Sequence, residues 1–199
     1  MPHVRASCNP FRSRRLEQLP FRSPRDGAPF DWARFLAEFQ ALRGRERGAV
    51  VGPHGSGKTT FLVELQQRLA ARGREVVMLF TNRDGGGRMP DEWVGLLRAT
   101  GEETLVIADG YDALGVFSRL RLRRVLRPRG GLIVTAHRRC TLPTLLETAT
   151  SPRLLESLLD DLCAGSRGSF RPSEEWLAKL YRSCRGNLRE VLRRLYNIP

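Results

Sequence analysis

The stretch VVGPHGSGKTT, Val50 to Thr60, decides how the rest of the chain is read. Gly52-Pro53-His54-Gly55-Ser56-Gly57-Lys58-Thr59 satisfies G-x-x-x-x-G-K-[ST] in full. Each residue type has a physical reason. Glycines at positions 52, 55 and 57 let backbone N–H groups turn inward and approach phosphate oxygens without a Cβ in the way. A helix starting at Lys58 presents its positive end to the anion. The ammonium of Lys58 is a compact point charge, whereas a guanidinium is a wide fork that crowds such a loop. The residue is conspicuous because only two of the 34 basic residues are lysine. Thr59 offers a hydroxyl to Mg²⁺, and Pro53, His54, Ser56 and Thr60 complete the loop that binds the nucleotide phosphates.

Outward from the loop, short apolar runs alternate with helical periodicity. Gly48–Gly52 reads as a strand, and 58–72 as a helix with Phe61, Leu62, Leu65 and Leu69 on one face, closed by Gly73. EVVMLF (Glu75–Phe80) and TLVIA (Thr104–Ala108) read as buried strands, with a Gly-rich loop over 82–90 and a short helix over 91–99 between them. A helix over 112–127, ended by Pro128, leads to LIVT (Leu132–Thr135). LPTLLETAT (Leu142–Thr150) fits an edge strand, where Pro143 is tolerated. Apolar strands joined by helices imply an α/β fold with a parallel sheet between two helical layers, a doubly wound three-layer sandwich. Asp109 at the end of TLVIA is placed to hold Mg²⁺, directly or through water.

Three segments emerge: a basic extended arm over 1–30, a nucleotide-binding α/β domain over 31–150, and a small helical lid over 151–199. The arm contains the paired pieces NPFRS (9–13) and LPFRS (19–23), whose phenylalanines are expected to dock on the core. Asp31 caps a helix carrying Trp32, Phe35, Leu36, Phe39 and Leu42. Ser151-Pro152, Ser173 and Asn187 each open a helix in the last segment. That segment is too short for a robust core of its own.

Composition narrows the function. The net charge of +13 and pI of about 11.1 attract polyanions, so nucleic acid stands among the partners, although the arginine bias also fits a solvated surface. Cys8, Cys140, Cys163 and Cys184 form no C-x-x-C pair, which points to reduced structural thiols rather than zinc. No apolar run is long enough to span a bilayer and the first residues lack the apolar stretch of a secretory signal, so a cytoplasmic location is expected.

The loop and the strand-end Asp109 resemble those of P-loop ATPases of the additional-strand class, which includes AAA+ proteins, over about 31–199. The start Asn9-Pro10-Phe11 is similar to bacterial ATPases with an NPF arm. The resemblance implies ATP with Mg²⁺, a further strand between those of Gly52 and Asp109, and ATP hydrolysis coupled to lid movement and to a protein partner or self-association. A nucleotide-dependent binding module with little hydrolysis is the alternative. AAA+ proteins place a Glu directly after the Mg²⁺-holding Asp, and here that residue is Gly110. Asp112 is the nearest acid that could position water, or else it caps a helix beginning at Ala113; Asp84 is a weaker substitute. Thr135 or His137 stands where such proteins sense the γ-phosphate, with Arg138 and Arg139 adding charge, and Asn82 occupies the place of a polar switch. Arg185-Gly186-Asn187-Leu188-Arg189-Glu190 looks like the G-N-x-R-E stretch of AAA+ lids, which casts Arg189 as the residue reaching toward the γ-phosphate.

Overall fold

A computed structural model describes residues 19–42, 46–81, 86–126, 130–164 and 172–197. The first half of the arm with NPFRS and Cys8, the switch candidate Asn82, Asp84 and the stop at Pro128 lie outside the described residues. By internal contacts the chain divides into two compact units. One comprises 1–30, 53–60 and 148–199, the other 31–52 and 61–147.

The second unit holds a five-stranded, all-parallel sheet in the order β2-β3-β4-β1-β5. The strands are β1 (Arg47–Val51), β2 (Val76–Phe80), β3 (Leu105–Asp109), β4 (Gly131–Ala136) and β5 (Thr144–Glu147). The expected extra strand is β4, inserted between β1 and β3. Period-two alternation splits the sheet into two apolar faces. Ala49, Val51, Leu79, Val106, Ala108, Leu132 and Val134 pack into one cluster with Trp93 and Leu97 of α3 (Asp91–Ala99) and Leu122 of α4 (Val116–Val125). Val50, Leu105, Ile107 and Ile133 point the opposite way and are equally buried. Phe61, Leu62, Leu65 and Leu69 of α2 (Lys58–Ala70) stand outside the first cluster yet are buried, as expected of the helix that covers this second face.

The helix α1 (Trp32–Gln40) begins where Asp31 Oδ1 accepts from Arg34 N at 2.9 Å. Its Trp32 stacks on Phe61 with ring centroids 5.1 Å apart, and the Arg68 guanidinium lies over the Trp32 ring. Leu42 does not continue this stripe: it sits in the turn beyond the helix and is exposed.

One expected element is broken. The chain after β3 does not enter a helix at Asp112. Gly110 takes a left-handed φ of +82°, Tyr111–Ala113 makes a single 3₁₀ turn, Leu114 is extended, and α4 starts only at Val116 with Gly115 as its N-cap. Asp112 is therefore not the cap of the following helix. Its carboxylate is engaged 25 residues away, as described below.

The first unit is built on leucines. The helices α5 (Pro152–Cys163), α6 (Glu174–Ser183) and α7 (Leu188–Tyr196) bury Leu154, Leu155, Leu159, Leu177, Val191 and Leu195 against one another. Ser151, Ser173 and Asn187 cap them by accepting from Leu154, Trp176 and Glu190 N–H groups. Leu19 packs on this cluster. Residues 22–29 form a tight hairpin closed by an Arg22–Pro29 bridge, and Phe21 meets Phe30 edge-on at 5.1 Å. Arg22 fixes the hairpin to α5 through a bidentate pair with Asp161 at 2.6 and 2.7 Å.

Candidate nucleotide site

The phosphate loop is shaped by two left-handed glycines, Gly55 at φ +73° and Gly57 at φ +84°. Gly55 has a second constraint. A Cβ there would lie 2.0 Å from Asn187 Oδ1 and 3.0 Å from Leu188 N, so the N-terminus of α7 is seated directly on the loop. Gly57 faces the Phe21 ring, which would sit 3.5 Å from a Cβ at that position. Ser56 Oγ lies 2.6 Å from Thr148 Oγ1 in a buried pair and donates to Pro53 O at 2.8 Å. Lys58 is almost wholly buried, and its Nζ donates to the same carbonyl at 2.8 Å. Thr59 and Thr60 are half-buried in the first turn of α2, and His54 is exposed.

This donor set fits a polyphosphate. Bent backbone, a buried ammonium, a helix start and the Thr59 hydroxyl lie within one run of chain. Among the described residues no cluster of three or more His, Cys, Asp or Glu side chains competes as a metal centre.

In the sheet unit, the carboxyl ends of β1, β4 and β3 stand side by side. Gly52 N donates to Ala136 O at 3.1 Å, locking the end of β1 to β4. Thr135 Oγ1 donates to Asp109 Oδ1 at 2.6 Å and accepts from Gly110 N at 2.7 Å. Buried Thr135 thus orients the Asp109 carboxylate and fixes the turn that follows it. Two residues onward, His137 meets Asp112 twice: Oδ2 of Asp112 accepts from the His137 backbone N–H at 3.2 Å and contacts its Nδ1. Burial pushes the Asp112 carboxyl up, but the ring and backbone bonds from His137 outweigh it and hold the group below the usual carboxylate range. Asp112 and His137, two separate candidates in the sequence, form one dyad.

Gly110 also has a structural reason to be glycine. Besides its left-handed φ, a Cβ would lie 3.2 Å from Thr81 O. A glutamate at this position would be strained from the backbone outward.

Arg189 lies in the first turn of α7, where the Asn187 cap places it, and is exposed. Its neighbour Glu190 is held by Arg193 and Arg194, which bring its carboxyl down to about 2. Arg139 pairs with Glu147 at 2.8 Å. Sequence reasoning missed Phe21, Thr148 and Asn187 as neighbours of the loop. LPFRS was a visible signal for the first, and nothing local marked the other two.

No family model and no curated sequence matches this chain. Solved structures do. Cdc6p from Pyrobaculum aerophilum superposes with a TM-score of 0.59 at 19% identity, over 97% of this chain and 64% of that one. The RuvB Holliday junction branch migration motor of Thermotoga maritima superposes with a TM-score of 0.53 at 12% identity, over 82% of this chain and 58% of that one. The chain therefore spans less than two-thirds of the length of either. What is shared is the fold, an α/β fold with a parallel sheet flanked by helices.

Proposed function

We propose that this protein binds MgATP and hydrolyses it slowly, and that nucleotide state is passed to the helical segment and on to a partner. The observation that carries this reading is the seating of α7 on Gly55 of the phosphate loop. Any shift of the loop backbone must move Asn187, and with it the cap of α7. Movement of α7 and nucleotide binding are thus coupled through contact rather than through a long path. Bound Mg²⁺ would neutralise charge on the phosphates and favour attack by water.

The chain's own residues supply the rest. Lys58 binds the terminal phosphates. Thr135 orients Asp109. Asp112 holds the imidazole of His137, which takes the place of the missing glutamate in orienting a water and receiving its proton. Arg189, exposed at the start of α7, reaches for the γ-phosphate.

Two measurements test this. Titration with a fluorescent ATP analogue should show binding that falls by about tenfold or more in Lys58→Arg, because the charge is kept while the shape is lost. Equal affinity would refute the site. Single-turnover hydrolysis should drop in both Asp112→Ala and His137→Gln. The second reading, a binding module with little hydrolysis, draws on the glycine demanded at position 110, and background rates in wild type and both variants would select it. The +13 charge favours a polyanion among the partners. A DNA affinity that does not fall steeply between low and moderate salt would exclude that role.

A further inference from the structure

The two most exposed large apolar side chains among the described residues lie on α4, far along the chain from the phosphate loop, and a third exposed one joins them there. Phe117 is 88% exposed, Val116 68% and Leu120 52%. Phe117, Leu120, Arg121 and Arg124 follow i, i+3, i+4, i+7 spacing, so they share one face, with Val116 flanking Leu120. The opposite face is anchored by fully buried Leu122. The helix, VFSRLRLRRV, carries four arginines and no acid. Arg121 pairs with Asp91 at 3.0 Å, while Arg124 has no hydrogen-bond or ion-pair partner among the described residues.

Single exposed apolar residues are ordinary; three on one helical face, with a phenylalanine almost free of contact, mark a docking surface. Charge decides the occupant. A second copy would bring the same arginine-lined face, and the segment 1–18 adds Arg5, Arg12, Arg14 and Arg15 against Glu17 alone. Both are repelled. We propose that the exposed face of α4 binds an amphipathic, acidic helix of another protein, with apolar anchors on Val116, Phe117 and Leu120 and carboxylates against Arg124 and Arg121.

The position suits a regulator. Arg119, on the same helix, donates to the backbone O of Asp112 at 3.0 Å and lies over the Tyr111 ring. Met89 N donates to Ser118 Oγ, and Gly115 N to Gly87 O. An occupant that shifts α4 therefore acts on the turn holding Asp112. The docking itself does not rest on the nucleotide reading and is tested without nucleotide.

The probe is a rhodamine-labelled 18-residue peptide with leucines at helical a/d spacing and glutamates elsewhere, read by anisotropy against the full chain. Controls are a scrambled peptide and one with lysines for the glutamates. We expect the glutamate peptide to bind, Phe117→Asp to weaken it about tenfold or more, and Arg124→Glu to weaken it while improving the lysine peptide. Both variants should keep the wild-type circular dichroism, since neither side chain is buried. Equal binding of the scrambled or lysine peptide, or no effect of Phe117→Asp, overturns the proposal. So does a concentration-dependent dimer in sedimentation velocity, or pelleting with phosphatidylserine vesicles, that Phe117→Asp abolishes; these assign the face to a second copy or to a membrane.

Discussion

Replacing Gly55 with alanine probes the contact on which the functional reading depends. Two effects add. The residue holds φ +73°, where a Cβ costs about 1–2 kcal/mol. That Cβ would also fall 2.0 Å from Asn187 Oδ1, an impossible distance, so the amide must leave. Its departure removes the acceptor for Glu190 N and with it the cap of α7, worth about 1 kcal/mol. The single variant should therefore lose about 2–3 kcal/mol, and Asn187→Ala alone about 1 kcal/mol. In the double variant the cap is lost only once, so the two changes should fall short of additivity by about 1 kcal/mol. Urea unfolding of the four proteins measures the cycle, and hydrogen exchange at the Glu190 amide locates it: protection should drop in all three variants to a similar level. Additivity within about 0.4 kcal/mol would refute the idea that α7 rests on the loop through this pair.

Other consequences follow from the same geometry. Gly110→Glu, which restores the residue expected after Asp109, should fail to raise hydrolysis and should destabilise the chain by about 1–2 kcal/mol, measured by thermal melting and single-turnover assay. A stable variant with faster turnover would contradict the strained-turn account. The Asp112–His137 pair predicts a signed pH effect. The Asp112 carboxyl is depressed in the folded state, so its contribution is present above the unfolded value of about 3.9 and lost as pH falls through the lower folded value. The stability gap between wild type and Asp112→Asn should accordingly be open at neutral pH and close in acid; a gap that widens on acidification would reverse the assignment. Asp161→Ala removes the bidentate partner of Arg22, and trypsin should then cut within 22–29 sooner than in wild type, with the helices α5 to α7 intact. Unaltered cleavage would show that Phe21, Phe30 and Gly27 hold the hairpin alone.

Element order was readable because helices and strands imprint short periods on neighbouring residues. The loop over Gly52–Thr59, the strand ending in Asp109 and the caps at Asp31, Ser151, Ser173 and Asn187 are local patterns, and each appears where its residues demand. The break after Asp109 was not readable. Helical spacing through 112–127 looks continuous, and only the left-handed Gly110 and the distant bond from Asp112 to His137 show that the helix must wait until Val116.

The deepest gap between chain and fold concerns pairing at long range. Composition and spacing specified a phosphate loop, an acidic strand end and a parallel α/β sheet, because each is dictated by residues within about a dozen positions of one another. Which partner each group meets was settled only by the folded topology. Inserting β4 beside β3 brings Thr135 to Asp109, and the turn beyond brings His137 to Asp112, across 26 and 25 residues. Packing of the helical unit brings Asn187 to Gly55, Thr148 to Ser56 and Phe21 to Gly57. These contacts depend on how sheet order and helix packing close the chain on itself, and no short stretch of sequence carries that information.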